Sequence, residues 1–131
     1  MDTKTDRKKE PTSGKGRKAE ALACRLLQEK GFRILSRNYR CRVGEIDIVA
    51  EAAGQLIFVE VRSLGPSARH LPEETINRTK QQRLSKVALA YIQANRMEDR
   101  SARFDVVAVE NTMGSAPTLR HLPDAFEIWE P

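Results

Sequence analysis

Two apolar segments of this chain carry acids where a buried strand would carry none. Residues 43–50 read V-G-E-I-D-I-V-A, and residues 56–62 read L-I-F-V-E-V-R. In a strand, residues i and i+2 share a face. Glu45, Asp47 and Val49 therefore share one face of the first segment, and Leu56, Phe58, Glu60 and Arg62 one face of the second. A two-residue or four-residue turn about Ala53-Gly54 sets Asp47 opposite Glu60, Glu45 opposite Arg62 and Val49 opposite Phe58. A three-residue loop with a bulge at Gly54 would shift that register. Carboxylates directly opposite on a sheet repel. The neighbouring Val49–Phe58 pair argues for a partly dry face, where two acids cannot both stay ionised cheaply without a cation between them. Hard divalent ions such as magnesium take carboxylate oxygens. The alternative is an ordinary solvated hairpin face on which Arg62 neutralises both acids.

Other residues with chemical potential are more dispersed. Glu20 lies at the edge of an apolar helical stripe, turned toward a core or a cleft, or simply exposed in a first turn where the helix dipole favours it. His70 and His121 have no partner at ligand spacing, so no zinc site is expected. Asp105 alternates with Phe104 and Val106 and either approaches the acidic face or caps a strand end. No glycine-rich phosphate loop and no serine nucleophile elbow occur.

The elements that must position these residues can be read from periodicity. Ala19, Leu22, Ala23, Leu26 and Leu27 give an amphipathic helix over 16–30, stopped at Gly31. Strands follow at 32–40, 43–51 and 55–63. A loop with Gly65, Pro66 and Pro72 breaks the pattern. A long helix over 75–95 has Leu84, Val87, Ala88 and Tyr91 on its apolar side, and Arg78, Lys80, Arg83 and Lys86 in its first half with no acid between them. A strand over 103–110 follows, then a Gly-Ser-Ala-Pro turn and a short strand near 119–122. A helix joining the third strand to the fourth is the connection that a parallel or mixed sheet requires. The expected fold is α/β, a single two-layer or three-layer domain on a central mixed sheet, in the order α-β-β-β-α-β.

The length of 131 residues suits one domain with one modest core. Residues 1–18 carry seven basic and three acidic residues, so +4 of the +5 net charge sits there. This marks residues 1–15 as a flexible basic arm and 16–131 as the domain, whose own charge is close to neutral. No segment approaches the ~18 apolar residues of a membrane span, and no secretory signal is visible. Cys24 and Cys41, far apart and without ligand spacing, read as reduced thiols, which points to the cytoplasm.

An acid on a first helix, an Asp on a strand and Glu-x-Lys on the next is the restriction-endonuclease-like pattern, here at Glu20, Asp47 and Glu60-Val61-Arg62. More specifically, the chain resembles the YraN-like family of small bacterial proteins. The matching segments are Gly16-Arg17-Lys18-Ala19-Glu20, Asn38-Tyr39-Arg40, Gly44-Glu45-Ile46-Asp47, Phe58-Val59-Glu60-Val61-Arg62, Lys80-Gln81-Gln82-Arg83-Leu84 and Arg103-Phe104-Asp105-Val106-Val107-Ala108. That family is similar in expected fold to Holliday-junction resolvases. The resemblance implies a phosphodiesterase dependent on Mg²⁺ or Mn²⁺. Asp47, Glu60 and the Val61 carbonyl would be ligands, Glu20 would complete the shell directly or through water, and Arg62 would stand where the pattern usually has Lys. Arginine stabilises phosphate charge but is never a base, which leaves two outcomes: cleavage without a side-chain base, or binding without cutting. Lys80 is a second source of an amine, or a solvated or phosphate-contacting lysine.

Three functions follow as expectations. The first is a hydrolase, an endonuclease on duplex or branched DNA and possible homodimer, with Arg40, Arg42, Arg78, Lys80 and Arg83 along the phosphate backbone. Aromatic residues make up only 5%, which favours backbone contact over a stacking platform for single strands. The second is a nucleic-acid-binding module of the same fold without catalysis. The third is a small adaptor that docks a partner through Phe126, Ile128 and Trp129, residues that otherwise close the domain's own core.

Overall fold

The computed structural model describes residues 14–64, 76–111 and 116–129. The basic arm up to residue 13, the loop holding Gly65, Pro66, His70 and Pro72, and Gly114 and Ser115 of the expected turn lie outside the described residues. Helix α1 (Gly14–Glu29) is followed by strands β1 (Arg33–Cys41), β2 (Gly44–Ala52) and β3 (Gln55–Leu64), helix α2 (Arg78–Ala94), and strands β4 (Ala102–Glu110) and β5 (Thr118–Phe126). The helix begins two residues before the expected 16, a difference of the size usual at helix ends. The short final strand expected near 119–122 is in fact nine residues long. Pro123 falls inside it and is tolerated because β5 is an edge strand.

The sheet order is β1-β2-β3-β4-β5. Only β3 and β4 run parallel, joined by the crossover through α2. The two helices cover opposite faces, so the domain has three layers. Under α1, Ala19, Ala23, Cys24 and Leu27 pack on Ile48, Ala50, Ile57, Val59, Val107 and Val109. Under α2, Leu84, Val87, Ala88 and Tyr91 pack on Val49, Phe58, Phe104 and Val106. Five aromatic rings cross the α2 face from edge to edge. Tyr39–Tyr91, Tyr91–Phe58, Phe58–Phe104 and Phe104–Phe126 have centroids 5.0, 5.8, 5.6 and 4.6 Å apart. Phe126 and Ile128 thus close the core. Trp129 binds α2 through its backbone N–H to Ser85 Oγ (2.8 Å) and its indole N–H to Gln81 Oε1 (3.2 Å). The tail serves the fold itself, which removes the observation behind the adaptor expectation.

The β2–β3 hairpin turns on two residues. Ala52 pairs with Gln55, Val49 with Phe58 and Ile48 with Val59, the register expected for a turn at Ala53-Gly54. Both turn residues have positive φ, 52° and 78°, the pattern of a type I′ turn. Alanine is strained there. Ala53→Asn should relieve that strain and stabilise the protein by about 0.5–1 kcal/mol, read as a higher midpoint in urea unfolding.

Asp105 is fully buried on β4 and does not approach the acidic hairpin face. Arg103 donates to both of its oxygens (2.8 and 3.1 Å), the Asp124 N–H to Oδ1 (2.9 Å), and His121 Nε2 to Oδ2 (2.7 Å). Lys30 Nζ lies 2.9 Å from His121 Nδ1. An ammonium only donates, so Nδ1 accepts and the imidazole proton sits on Nε2, facing Asp105. Burial alone would raise the Asp105 pKa, but these bonds from His121, Arg103 and Asp124 outweigh it and hold the carboxyl low. Its contribution is therefore present above ~4 and lost as the pH falls. Asp105→Ala leaves the Arg103 cation, the His121 N–H and a backbone N–H without their acceptor. It should cost about 3–5 kcal/mol, measured by chemical unfolding at neutral pH.

Candidate active site

The acidic site forms where the β2–β3 ladder ends. Backbone pairing runs from the turn to Ile48–Val59 and stops there. One residue further on β2 and two on β3, the Val61 N–H donates to the Asp47 carboxylate at 2.8 Å instead of to the opposite backbone. The side chain of Asp47 thus occupies the opening between the two strands. On the other side of β2, Asn38 of β1 stands opposite Asp47, between the pairs Arg37–Ile48 and Tyr39–Ile46, and has a left-handed φ of 55°. Asn tolerates that conformation better than other non-glycine residues. The regular alternation of β2 breaks at the same place. Ile48 packs under α1 but Ile46 packs in the α2-side core, whereas unbroken alternation would put both on one face. The irregular rung frees Asp47 from the pleat and exposes it to groups from both layers.

Glu60 is 6% exposed. Its Oε2 lies 3.0 Å from Lys80 Nζ and 3.8 Å from Arg62 Nη1. Asp47 is half-buried. Its pKa is raised to about 8, first by burial and then by repulsion from Glu60, with smaller contributions from Glu20 and Glu45; the Val61 N–H opposes these. Glu20 is buried on α1 at 5% exposure and reaches Asp47 through its field. Among the described residues, no three His, Cys, Asp or Glu side chains gather closely enough to hold a metal ion. The site is therefore a carboxylate pair with a third acid behind it, rather than a preformed triad.

A cavity of about 550 Å³ opens over the pair, lined in part by Arg40, Arg42, Asp47, Glu60, Lys80 and Arg83. Four of the five cations expected along a phosphate backbone thus share the cavity with the two acids. Arg40 also binds Glu45 across the β1–β2 ladder at 3.1 Å. The fifth, Arg78, lies apart over the Trp129 ring, 4.7 Å from its centroid.

Lys80 is tied directly to the acidic pair, not only to the cavity rim. Asn77 caps α2 by accepting the Lys80 N–H at 2.9 Å, which fixes Lys80 in the first turn. Helix α2 has no acid in that turn, although a helix N-terminus favours acids and disfavours cations. A capped helix that opens on Arg78 and Lys80 breaks a local rule, and that departure is the signal that could have singled out Lys80. In the structure each cation is compensated from outside the helix, Lys80 by Glu60 and Arg78 by the Trp129 ring.

The model of the uncharacterised protein family UPF0102 matches residues 19–109. A UPF0102 protein of Trichlorobacter lovleyi is 44% identical over 124 residues, covering 90% of this chain and 98% of its own. One of Syntrophus aciditrophicus is 42% identical over 113 residues, covering 86% and 88%. Among solved structures, Pyrococcus furiosus SfsA in complex with Ca²⁺ aligns with a TM-score of 0.41 at 16% identity, over 82% of this chain and 62% of that one. An EndoMS–dsDNA2 complex aligns at 0.37 and 17%, over 85% and 42%. No helix among the described residues is long and apolar enough to cross a membrane.

The raised pKa of Asp47 has a measurable consequence. A carboxyl whose folded pKa lies above its unfolded value stabilises the fold below the unfolded pKa and loses that contribution as the pH rises through about 8. Asparagine keeps the acceptor for the Val61 N–H but cannot ionise. Without divalent ions, Asp47→Asn should match wild type near pH 4 and exceed it increasingly toward pH 9. A shift of that size is worth ~6 kcal/mol in full; contact with the cavity solvent reduces the expected gain to about 1–3 kcal/mol. Thermal melts across that range check it.

Proposed function

The chain belongs to the UPF0102 family, and from the geometry of its acidic site we propose that it is a metal-dependent phosphodiesterase acting on duplex or branched DNA. The observation that carries this reading is the pair Asp47 and Glu60, held together where the sheet opens, beneath a cavity lined by Arg40, Arg42, Lys80 and Arg83. A structural ion pair would match each acid with a cation. Here Lys80 and Arg62 both address Glu60, and none of the described cations makes an ion pair with Asp47.

The donor set fits a hard divalent ion: two carboxylates, the pKa of Asp47 raised first by burial and then by the charge of Glu60, offering oxygen ligands of the kind that Mg²⁺ and Mn²⁺ take. Asp47 and Glu60 would hold the ion, the Val61 carbonyl would add a ligand, and Glu20 would join through water. When bound, the ion supplies an activated water and charge stabilisation on the phosphate. The chain's own residues do the rest. The Val61 N–H fixes the orientation of Asp47. Arg62, permanently charged, holds a phosphate oxygen and takes no proton. Lys80 brings an ammonium from the opposite layer to the place where an Arg at position 62 provides none. Arg40, Arg42 and Arg83 hold the flanking backbone, with an affinity that falls as salt rises. In the hydrolysis, water oxygen bonds to phosphorus, one P–O ester bond breaks, and the leaving oxygen takes up a proton.

Arg62 also motivates the second reading, a module that binds DNA without cutting it. Calorimetric titration with Mn²⁺ separates the possibilities. Asp47→Asn should weaken binding by more than the ~10–100-fold that loss of an outer-shell partner costs, and should abolish Mn²⁺-dependent cleavage of branched DNA. Equal Mn²⁺ affinity in both proteins would remove the site. Asp47-dependent Mn²⁺ binding with no cleavage of any duplex or branched substrate would leave the binding module.

A further inference from the structure

The β1–β2 turn carries an exposed apolar side chain at its tip. Cys41 pairs with Gly44 across the ladder, so the turn consists of Arg42 and Val43 alone. Neither has a positive φ, which falls instead on Gly44, so the backbone does not demand Gly, Asn or Asp at either position and leaves the tip open to an apolar side chain. Val43 is 45% exposed, and among the described residues it is the one large hydrophobic side chain that stands out in water. A single exposed valine is unremarkable on an ordinary surface. This one lies at the wall of the acidic cavity, together with Arg40, Arg42, Lys80 and Arg83.

The turn is also braced. A Cβ on Gly44 would meet Val87 Cγ2 at 3.2 Å and Arg83 Cδ at 3.6 Å, so the hairpin end lies directly on α2. One rung below, Arg40 is tied to Glu45 at 3.1 Å. A rigid support, an apolar tip and a frame of cations are together the make-up of a side chain that enters a base stack while its neighbours grip the phosphates.

We propose that Val43 is a wedge that the Arg42–Val43 turn inserts between adjacent bases of DNA, opening the stack beside the phosphodiester over Asp47 and Glu60. The inference rests on the DNA-cleaving reading of the site and adds the substrate class to it. Valine has no hydrogen-bonding group and reads no base identity. It favours DNA whose stacking is already interrupted, at a branch, bulge or mismatch, because there the wedge has less to disrupt. Arg40, Arg42 and Arg83 supply the sequence-independent grip on either side.

The test uses the full chain with Val43→Ala and Val43→Ser, which leave the acids and the cations in place. Anisotropy gives affinity for a continuous duplex and for a branched duplex of the same sequence, and 2-aminopurine beside the branch reports unstacking. Wild type should favour the branched form by about tenfold and raise 2-aminopurine emission on binding. Both variants should hold the continuous duplex within about twofold of wild type and lose both the preference and the emission rise. Wild-type preference and emission in both variants would overturn the wedge while leaving the DNA reading intact. No binding of wild type to either DNA would overturn the DNA reading itself, and the wedge with it.

Discussion

Two carboxylates held at the end of a strand ladder, partly out of water, are the constraint around which the rest of this domain is arranged. Asp47 next to Glu60 carries an electrostatic cost that neither α1 nor α2 removes. Burial and mutual repulsion push the Asp47 carboxyl to a pKa of about 8. A sheet selected for stability alone would place apolar residues at these positions, as it does at Ile48, Ala50, Ile57 and Val59 a few rungs away. The chain instead opens the ladder at that rung, accepts a left-handed asparagine in β1 opposite it, and moves Ile46 to the other layer. Strain and unmatched charge at one point of an otherwise well-packed core are what the proposed chemical role of this site rests on.

Asp105 shows what the same sheet does with a buried aspartate that it satisfies. Both aspartates lie on inner strands of the same sheet. Asp105 is the more buried, yet its pKa is lowered rather than raised, because Arg103, His121 and the Asp124 backbone fill its acceptor positions. A satisfied network of this kind fixes β4, β5 and the end of α1 relative to one another. Burial by itself therefore does not explain Asp47. The difference is that the fold supplies donors at one aspartate and withholds them at the other, where a single backbone N–H is the bond the structure shows.

Much of this was legible in the sequence, and what escaped did so for physical reasons. The Val49–Phe58 register followed from alternation and a turn at Ala53-Gly54, because a one-residue slip would have moved every apolar side chain to the wrong face. The apolar stripes of α1 and α2 gave the layers. Three features depended on contacts between elements far apart in the chain. The Asp105–His121 pair needs β5 to lie beside β4, and the fifth strand was underestimated because Pro123 interrupts a weakly alternating segment. Unbroken alternation would put Ile46 on one face with Ile48, and alternation cannot show where it breaks. The pairing of Lys80 with Glu60 requires the crossing of α2 over β3, which no local pattern encodes.

That crossing also bears on Arg62, which stands where the endonuclease-like pattern usually has lysine. An ammonium on the strand and an ammonium on the helix differ in what moves with them. Arg62 shares a strand with Glu60 and keeps its place whenever the sheet is intact. Lys80 stands in the first turn of α2, set by the Asn77 cap, and reaches Glu60 across the gap between layers. Its position therefore depends on how α2 sits on the sheet, and so on the contact at Gly44 and on the Trp129 tail that binds Gln81 and Ser85 on the same helix. Separating the permanent charge from the movable amine places the turn, the tail and the acidic pair under the control of one helix. A displacement of α2 that left every acid in place would still disturb the proposed chemistry.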